Sequence, residues 1–409
     1  MKHIVIIGGG MSGMVAAINA AGPNTKVTLL ERQDRIGKKI LLTGNGRCNL
    51  SNQSIQASDY LTDDPQLLQR IIDTYRPLEK PFWDSLGLMT KEKNGCIYPL
   101  SGQASTVQNC LRLRLEEKRI SVITGFMAEK IRHNNNQFYI ETDNSTDQVK
   151  ADVVILSCGG KAGVYEEQYK NGFELCRQLG HHIKPAYPAL VQTFCEGNYF
   201  KSISGVRTDA RISLLLNDVL IAQEEGELQL TDKGLSGIVV FQLTRYLGEA
   251  LQKGKKVIFL VNFIASLSKE QWHQNMQNRL NQLGDRTAED FFSGILNKKL
   301  ILMLLKECGI RPGQSIQSLS QKQFRTLLDL FQEFPVKITG LNDYAHAQIS
   351  TGGVPLSEVD ETLASKYVNN LYLTGELLDV SGACGGYNLY FAAATGYLAG
   401  QNSRKETTK

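Results

Sequence analysis

The chain has 409 residues, 42% hydrophobic and 21% charged, with a formal net charge of +4 at pH 7. That length predicts two or three domains with an ample core, and the small charge without a long Lys/Arg block argues against a nucleic-acid partner. Eight cysteines with no C-x-x-C pair, and six histidines without a cluster, argue against a bound metal and for a reduced, cytoplasmic setting.

The first fifty residues organise the rest. Ile4-Val5-Ile6-Ile7 reads as a buried parallel strand. Gly8, Gly10 and Gly13 fit G-x-G-x-x-G, and Met14 to Ile18 continues as a helix of small and apolar residues. The first glycine makes the tight turn, the second lets a pyrophosphate approach the backbone, and the third lets helix pack on strand. Ser12 lies within this turn, and the helix start offers free N–H groups and a positive dipole end to phosphates. A second strand, Lys26 to Leu30, ends in Glu31, which is placed to accept hydrogen bonds from ribose hydroxyls. Arg32 beside it hints at a 2′-phosphate, which Glu31 would repel. Because this opening is already a strand, no signal peptide is expected.

Residues 35–52 read as too glycine-rich and too polar for helix or strand. Gly44 and Gly46 give a backbone able to curl round a ligand. Lys38, Lys39 and Arg47 bring positive charge close to the pyrophosphate. A long wrapping loop suits FAD better than a plain NAD site; the alternative is a surface loop with solvated lysines. Cys48 is open to two readings, a redox thiol or inert packing.

Residues 65–90 predict a helix with Leu67, Leu68, Ile71, Ile72 and Tyr75 on one face. Tyr98 and Ser101 are expected on a turn, either reaching a ligand or satisfied locally. A helix follows from Ala104 to Lys118. Strands are predicted at Ser121–Thr124, Gln137–Thr142 and Lys150–Leu156, with Asn134-Asn135-Asn136 as the turn of an antiparallel pair. Gly159 and Gly160 follow the third strand without the spacing of a second nucleotide site, and read as backbone passing close to the same cofactor.

After Pro185 and Pro188 the character changes. Gly205 to Leu216 alternates as a half-buried antiparallel strand. Further strands are expected at Val219–Gln223, Glu227–Leu230 and Lys256–Asn262. Residues 264–332 are predicted mostly helical, with core stripes at Trp272, Met276, Leu280 and Leu283 and at Phe324, Leu327, Leu328 and Phe331. The longest apolar run of this half, Leu300 to Leu305, is far short of a membrane span, so no membrane partner is expected. His346 to Val354 reads as a strand entering a glycine turn. Leu371 to Glu376 reads as a buried strand ending in an acid, and Leu377 to Ala383 as a loop. Gly385-Gly386-Tyr387-Asn388-Leu389 opens a helix, and the tail after Gln401 is expected to fray.

Taken together the pattern is α/β. Residues 1–187 and 341–409 are expected to form one cofactor domain from both chain ends. Residues 188–263 and 320–340 form a β-rich substrate domain, and 264–319 a helical insert.

Several of these stretches carry a family pattern. Gly8–Gly13 with Glu31, Thr43-Gly44-Asn45-Gly46-Arg47-Cys48-Asn49, Tyr98-Pro99-Leu100-Ser101 and Gly234-Leu235-Ser236-Gly237 are four. Thr351-Gly352-Gly353-Val354, Thr374-Gly375-Glu376-Leu377-Leu378-Asp379 and Gly385-Gly386-Tyr387-Asn388 complete it. In this the chain resembles the BaiN/YhiN-like bacterial flavoproteins, described as NAD(P)/FAD-dependent or aminoacetone-oxidase-like oxidoreductases. The resemblance implies a Rossmann-like, glutathione-reductase-type FAD domain with an inserted β-barrel-like domain and a small helical domain. It also implies that Glu376 meets the ribityl chain and that the helix opening near Gly386 meets the flavin. Cys384, Phe391 and Ile238 depart from the common pattern.

The cofactor set expected on this reading is as follows. At the front of the chain it is Gly8, Gly10, Ser12, Gly13, Glu31, Arg32, Lys38 and Lys39, then Gly44, Asn45, Gly46, Arg47, Cys48 and Asn49. Beyond these come Met127, Gly159, Gly160, Gly375, Glu376, Gly386, Tyr387, Asn388 and Leu389. FAD carries the hydride chemistry at N5. NAD(P)H is a candidate transient reductant for a small-molecule substrate. Tyr98, Tyr387 and His346 are the candidate acids or bases. An NAD(P)H-linked reductase leads; an amine oxidase, a flavin-dependent tRNA-modifying enzyme and a non-catalytic flavin-binding module are the alternatives.

Overall fold

A computed structural model describes residues 1–142, 148–163 and 172–405. The chain divides into two compact units, Met1–Tyr187 with Gln348–Lys409, and Pro188–Ala347.

The first unit is built on a five-stranded parallel sheet. Strand β1 (Lys2–Ile7) is its centre, because Ile4, Val5 and Ile6 have no exposed surface and need cover on both faces. Strand β2 (Thr25–Glu31) lies on one side of β1 and Val153–Leu156 on the other, both parallel. Leu371–Leu373 and Ser121–Thr124 form the two outer strands. Helix α1 (Met11–Ala20) joins β1 to β2. It packs against the C-terminal helix Tyr387–Ser403 through glycines: a Cβ on Gly396 would stand 2.2 Å from the Ser12 carbonyl oxygen, and one on Gly400 2.4 Å from that of Ala16.

Several expectations are corrected here. The stretch 35–52 holds a short helix, α2 (Lys38–Leu42), a 3-10 turn at Thr43–Gly46 and a two-residue strand at Ser51–Asn52. One helical turn survives because Gly37 adopts φ 75° ahead of it and Ile40 is buried beneath it. The helix α3 (Pro65–Ser85) presents the predicted apolar face. Tyr98 stands on a strand, Cys96–Pro99, that pairs with Thr90–Lys93 and with Ser51–Asn52. Helix α4 (Ala104–Glu117) falls as predicted.

The strand read over Lys150–Leu156 breaks at Asp152. Gln148–Ala151 joins a three-stranded antiparallel sheet, and Val153–Leu156 turns into the parallel one. That antiparallel sheet contains an unforeseen strand, Lys130–Asn134, whose hairpin with Gln137–Glu141 turns at Asn135 and Asn136, both at positive φ. His346 to Gln348 lie outside the strand, which is Ile349–Gly353. Ser381–Gly382, expected in a loop, pairs with Tyr60–Leu61. The C-terminal helix continues to Ser403, past the expected onset of fraying.

The second unit carries a six-stranded antiparallel sheet. Its order is Thr193–Cys195, Phe334–Leu341, Val257–Asn262, Arg207–Leu216, Val219–Leu230 and Leu235–Ser236. Val219–Leu230 is one continuous strand where two were expected. The outer strands meet: Thr193 Oγ1 donates to the Leu235 carbonyl at 3.2 Å, so the sheet nearly closes into a barrel. The alternating residues Ala210, Ile212 and Leu214 point inward with no exposed surface. The helices between 269 and 332 share this core, with Trp272, Phe291, Phe292, Leu327 and Phe331 buried in it.

Candidate functional site

At two of its positions the turn after β1 can be built only from glycine. Gly8 holds φ 108°, and a Cβ there would stand 2.4 Å from the Ser157 carbonyl oxygen. A Cβ on Gly13 would stand 1.8 Å from the Gly8 oxygen, so α1 lies directly on the turn. Gly10 behaves differently: a Cβ there meets nothing within 4 Å, so this face opens outward. Gly10 caps α1 without any side-chain bond, which leaves the first N–H groups of the helix to an outside acceptor. Ser12, the second residue of α1, is buried, with the Cβ position of Gly375 2.8 Å from its Oγ.

Glu31 closes the turn from β2. Its Oε2 accepts from Gly9 N at 2.6 Å and its Oε1 from Gln33 N at 2.8 Å. The carboxylate thus shapes the glycine loop. Arg32 follows it, half-buried. The Phe126 N–H donates to the Glu31 carbonyl at 2.9 Å, and this sets the neighbouring Met127 beside the end of β2.

A second cluster forms around Glu376. Its Oε2 accepts from Lys39 Nζ at 2.7 Å, and its Oε1 from Ser350 N at 2.7 Å and Ser350 Oγ at 3.2 Å. Gly160 passes so close that a Cβ would be 2.3 Å from Ser350 Oγ and 2.8 Å from Glu376 Oε1. Gly159 beside it holds φ 73°. Lys38 turns away, paired with Asp34 at 2.5 Å on the surface. Ser350 is a residue that sequence reading missed; its only trace is its place within the stretch His346 to Val354.

Gly44, Asn45, Gly46 and Arg47 are exposed, and Gly44, Asn45 and Gly46 adopt positive φ. Cys48 is wholly buried at φ 56°, and burial pushes its thiol up to about 11, so it holds its proton at neutral pH. That is packing, not redox chemistry. Burial likewise pushes Cys158 up to about 12. Asn49 Oδ1 is buried with no hydrogen-bond partner among the described residues. It lies 2.8 Å from where a Cβ on Gly386 would stand.

Gly386, at φ 98°, caps the C-terminal helix, and Tyr387, Asn388 and Leu389 form its first turn, each half-buried. The Asn388 side chain is spent on the preceding loop, accepting from Gly382 N at 2.8 Å and donating to the Gly382 carbonyl at 3.0 Å. Tyr60 OH donates to the Tyr387 carbonyl at 2.9 Å, and the two rings meet edge to face.

Of the three candidate acids and bases, Tyr98 and Tyr387 both neighbour Cys96. Tyr98 is half-buried; burial raises its phenol further, the Cys96 thiol beside it adds to this, and Arg47 opposes it. Burial first, then Asp59 and Cys96, raise Tyr387. His346 belongs to the other unit, exposed and paired with Asp343 at 2.6 Å. Ser101 is satisfied locally through Thr106 at 2.8 Å.

These residues fit an extended dinucleotide. The open face of Gly10, the uncapped start of α1 and the orphaned Asn49 oxygen lie in the same unit as the Glu31 carboxylate, whose oxygens keep lone pairs beyond their bonds to Gly9 N and Gln33 N. Fold and site together define an FAD-binding flavin oxidoreductase of the Rossmann type. Residues 2–402 match the family described as HI0933-like protein Rossmann domain, and the chain belongs to that family.

Among its relatives is a "3-dehydro-bile acid delta(4,6)-reductase" of Clostridium scindens, 41% identical over 98% of each chain. A "ribosomal RNA dihydrouridine synthase" of Haemophilus influenzae is 24% identical over 96% of each chain. Of solved structures, a 3-ketosteroid delta1-dehydrogenase from Sterolibacterium denitrificans aligns with a TM-score of 0.52 at 12% identity. It covers 99% of this chain and 100% of that one, and attests the fold.

Proposed function

We propose that this protein is an NAD(P)H-linked, FAD-dependent reductase of a carbon–carbon double bond conjugated to a ketone in an apolar polycyclic molecule. The observation that carries this is the full-length 41% identity to a reductase named for a 3-dehydro bile acid. On this reading the first unit holds the cofactor and the second contributes to substrate binding. Gly8, Gly10, Ser12 and Gly13 cradle the pyrophosphate, and Glu31 takes the adenosine ribose. Lys39, Gly160 and Glu376 face the ribityl chain, and the helix start at Gly386–Leu389 meets the flavin. When bound, FAD supplies hydride exchange at N5. The protein binds and orients, and the positive end of the C-terminal helix favours negative charge on the reduced ring.

The second unit supplies no Rossmann turn of its own for a nicotinamide. The reductant and the substrate therefore take turns at one open site, which gives ping-pong kinetics. The test is anaerobic stopped-flow mixing. NADH or NADPH should bleach the flavin, and a 3-oxo-Δ4 or Δ4,6 bile acid should restore its colour. No bleaching by millimolar NAD(P)H, with fast bleaching by an amine, would assign the protein to the oxidases instead.

A second reading rests on the full-length likeness to the dihydrouridine synthases. It requires reduction of uridine in ribosomal RNA. Ribosomal RNA from cells lacking this protein, compared by mass spectrometry with RNA from complemented cells, distinguishes it. A dihydrouridine that appears only on complementation would favour the RNA substrate.

A further inference from the structure

The turn that opens the C-terminal helix is held from far away in the chain. Asn52 Nδ2 donates to the Gly385 carbonyl at 3.1 Å. Asn52 Oδ1 accepts from Ser54 N at 3.2 Å, which agrees with the amide end that faces Gly385. The Asn52 backbone is gripped in turn. Arg76 Nη1 donates to the Asn52 carbonyl at 2.9 Å, and Arg76 Nη2 donates to the next carbonyl, that of Gln53.

Arg76 pairs with Glu79 at 3.2 Å, one turn further along α3. Burial raises the Glu79 carboxyl, while a hydrogen bond to Ser51 and the charge of Arg76 oppose it. Ser51, Asn52 and Gln53 are thus each tied to α3. On the far side the Ser51 carbonyl oxygen stands 2.4 Å from the Cβ position of Gly386, so the turn has no room to drift toward it.

This is a costly arrangement for a strand of two residues. A largely buried carboxylate is committed to the Ser51 side chain, and a half-buried guanidinium to two successive backbone carbonyls. What these bonds fix is the place of Gly385 and Gly386. We propose that Asn52 is a positioning residue for the flavin: through Gly385 it aims the N–H groups that open the C-terminal helix, and Arg76 and Glu79 anchor it. The proposal rests on the reading that this helix start meets the flavin. Aimed N–H groups stabilise charge on the reduced ring more than on the oxidised one, so misaiming them lowers the flavin's potential.

The test measures midpoint potentials of the full-length, FAD-loaded protein by titration against a dye of known potential. Asn52→Ala should weaken the preference for reduced over oxidised FAD about tenfold, which is about 30 mV more negative for a two-electron couple. Arg76→Met should shift the same way by less. The double variant should go no further than Asn52→Ala alone, because the two act through one contact. Gly386→Ala, which forces the helix start against Ser51, separates the layers of the argument. If Gly386→Ala moves the potential and Asn52→Ala does not, the helix start meets the flavin but Asn52 does not position it, and the proposal fails. If neither moves it, the reading beneath fails too. Should Asn52→Ala not fold, an unchanged potential in Arg76→Met overturns the proposal.

Discussion

Glu31 shows how much a single side chain can carry. The sequence spacing marks it as a ribose acid, yet in the fold its two oxygens also hold Gly9 N and Gln33 N. Bonds to a charged acceptor contribute about 1.5–3 kcal/mol each. Glu31→Ala should therefore loosen the glycine loop and the ribose contact together. The expected result is a folded protein that releases FAD at least about tenfold more readily, a loss of about 1.4 kcal/mol. Dialysis followed by the absorbance of retained flavin checks this; full retention would remove Glu31 from the site. The neighbouring glycines were legible because their task is local: a turn after a strand and a helix packed on it leave a spacing in the chain. Ser350 was not legible, because its partner Glu376 stands on a separate 3-10 turn, Gly375–Leu377, that only the folded unit brings against it.

At the scale of elements, the contact between α1 and the C-terminal helix decides where the N-terminal end of α1 points. Gly396 and Gly400 stand four residues apart on one helix, opposite Ser12 and Ala16, four apart on the other. With no Cβ in the way, the backbones approach to near contact. Gly400→Ala should push the helices apart and cost about 1–3 kcal/mol, the usual range for overpacking. Urea unfolding should show a lower midpoint at unchanged slope, with weaker FAD retention because α1 shifts. An unchanged midpoint would mean that the helices can separate freely. The long elements α3 and α4 each bury one face over several turns and were readable, whereas α1, buried on nearly every side, was readable from the glycine turn before it. The turn of helix at Lys38–Leu42 was not. A five-residue helix has too little of its own to stand on, and it persists because Ile40 is buried and Gln108 Nε2 donates to the Ile36 carbonyl at 2.9 Å.

For the molecule as a whole, a buried histidine couples stability to pH. His181 has no side-chain exposure, and its Nδ1 stands 2.7 Å from Glu358 Oε2. Its Nε2 takes the proton of Ser365 Oγ at 2.9 Å, while that oxygen accepts from Tyr367 N and Val368 N. A second proton on His181 has no acceptor left. Burial lowers its pKa below the ordinary value, although Glu358 pulls the other way. The folded state then binds fewer protons than the unfolded one between the two pKa values. The contribution is complete above about pH 6.5 and is lost as pH falls through the lowered folded value. Urea midpoints measured from pH 7.5 down to 5 should fall, and His181→Gln should flatten that fall. An equal slope in the variant would place the effect elsewhere.

By itself the sequence determined the parallel sheet's central strands, the glycine turn after β1 with the acid that closes it, and the FAD class of the fold. The glycine turn and its acid lie within about thirty residues, and such spacing survives in one dimension, while a buried strand shows as an apolar run whatever it pairs with. Tertiary structure alone decided what lies between the motifs. It joined Lys39, Ser350 and Glu376, tied Asn52 to Gly385, split the strand at Asp152, and left Lys38 and His346 on the surface with acids of their own. Each of those outcomes depends on which distant segments the core brings within hydrogen-bond reach. A carboxylate or an amide carries no mark in the chain of the partner it will meet.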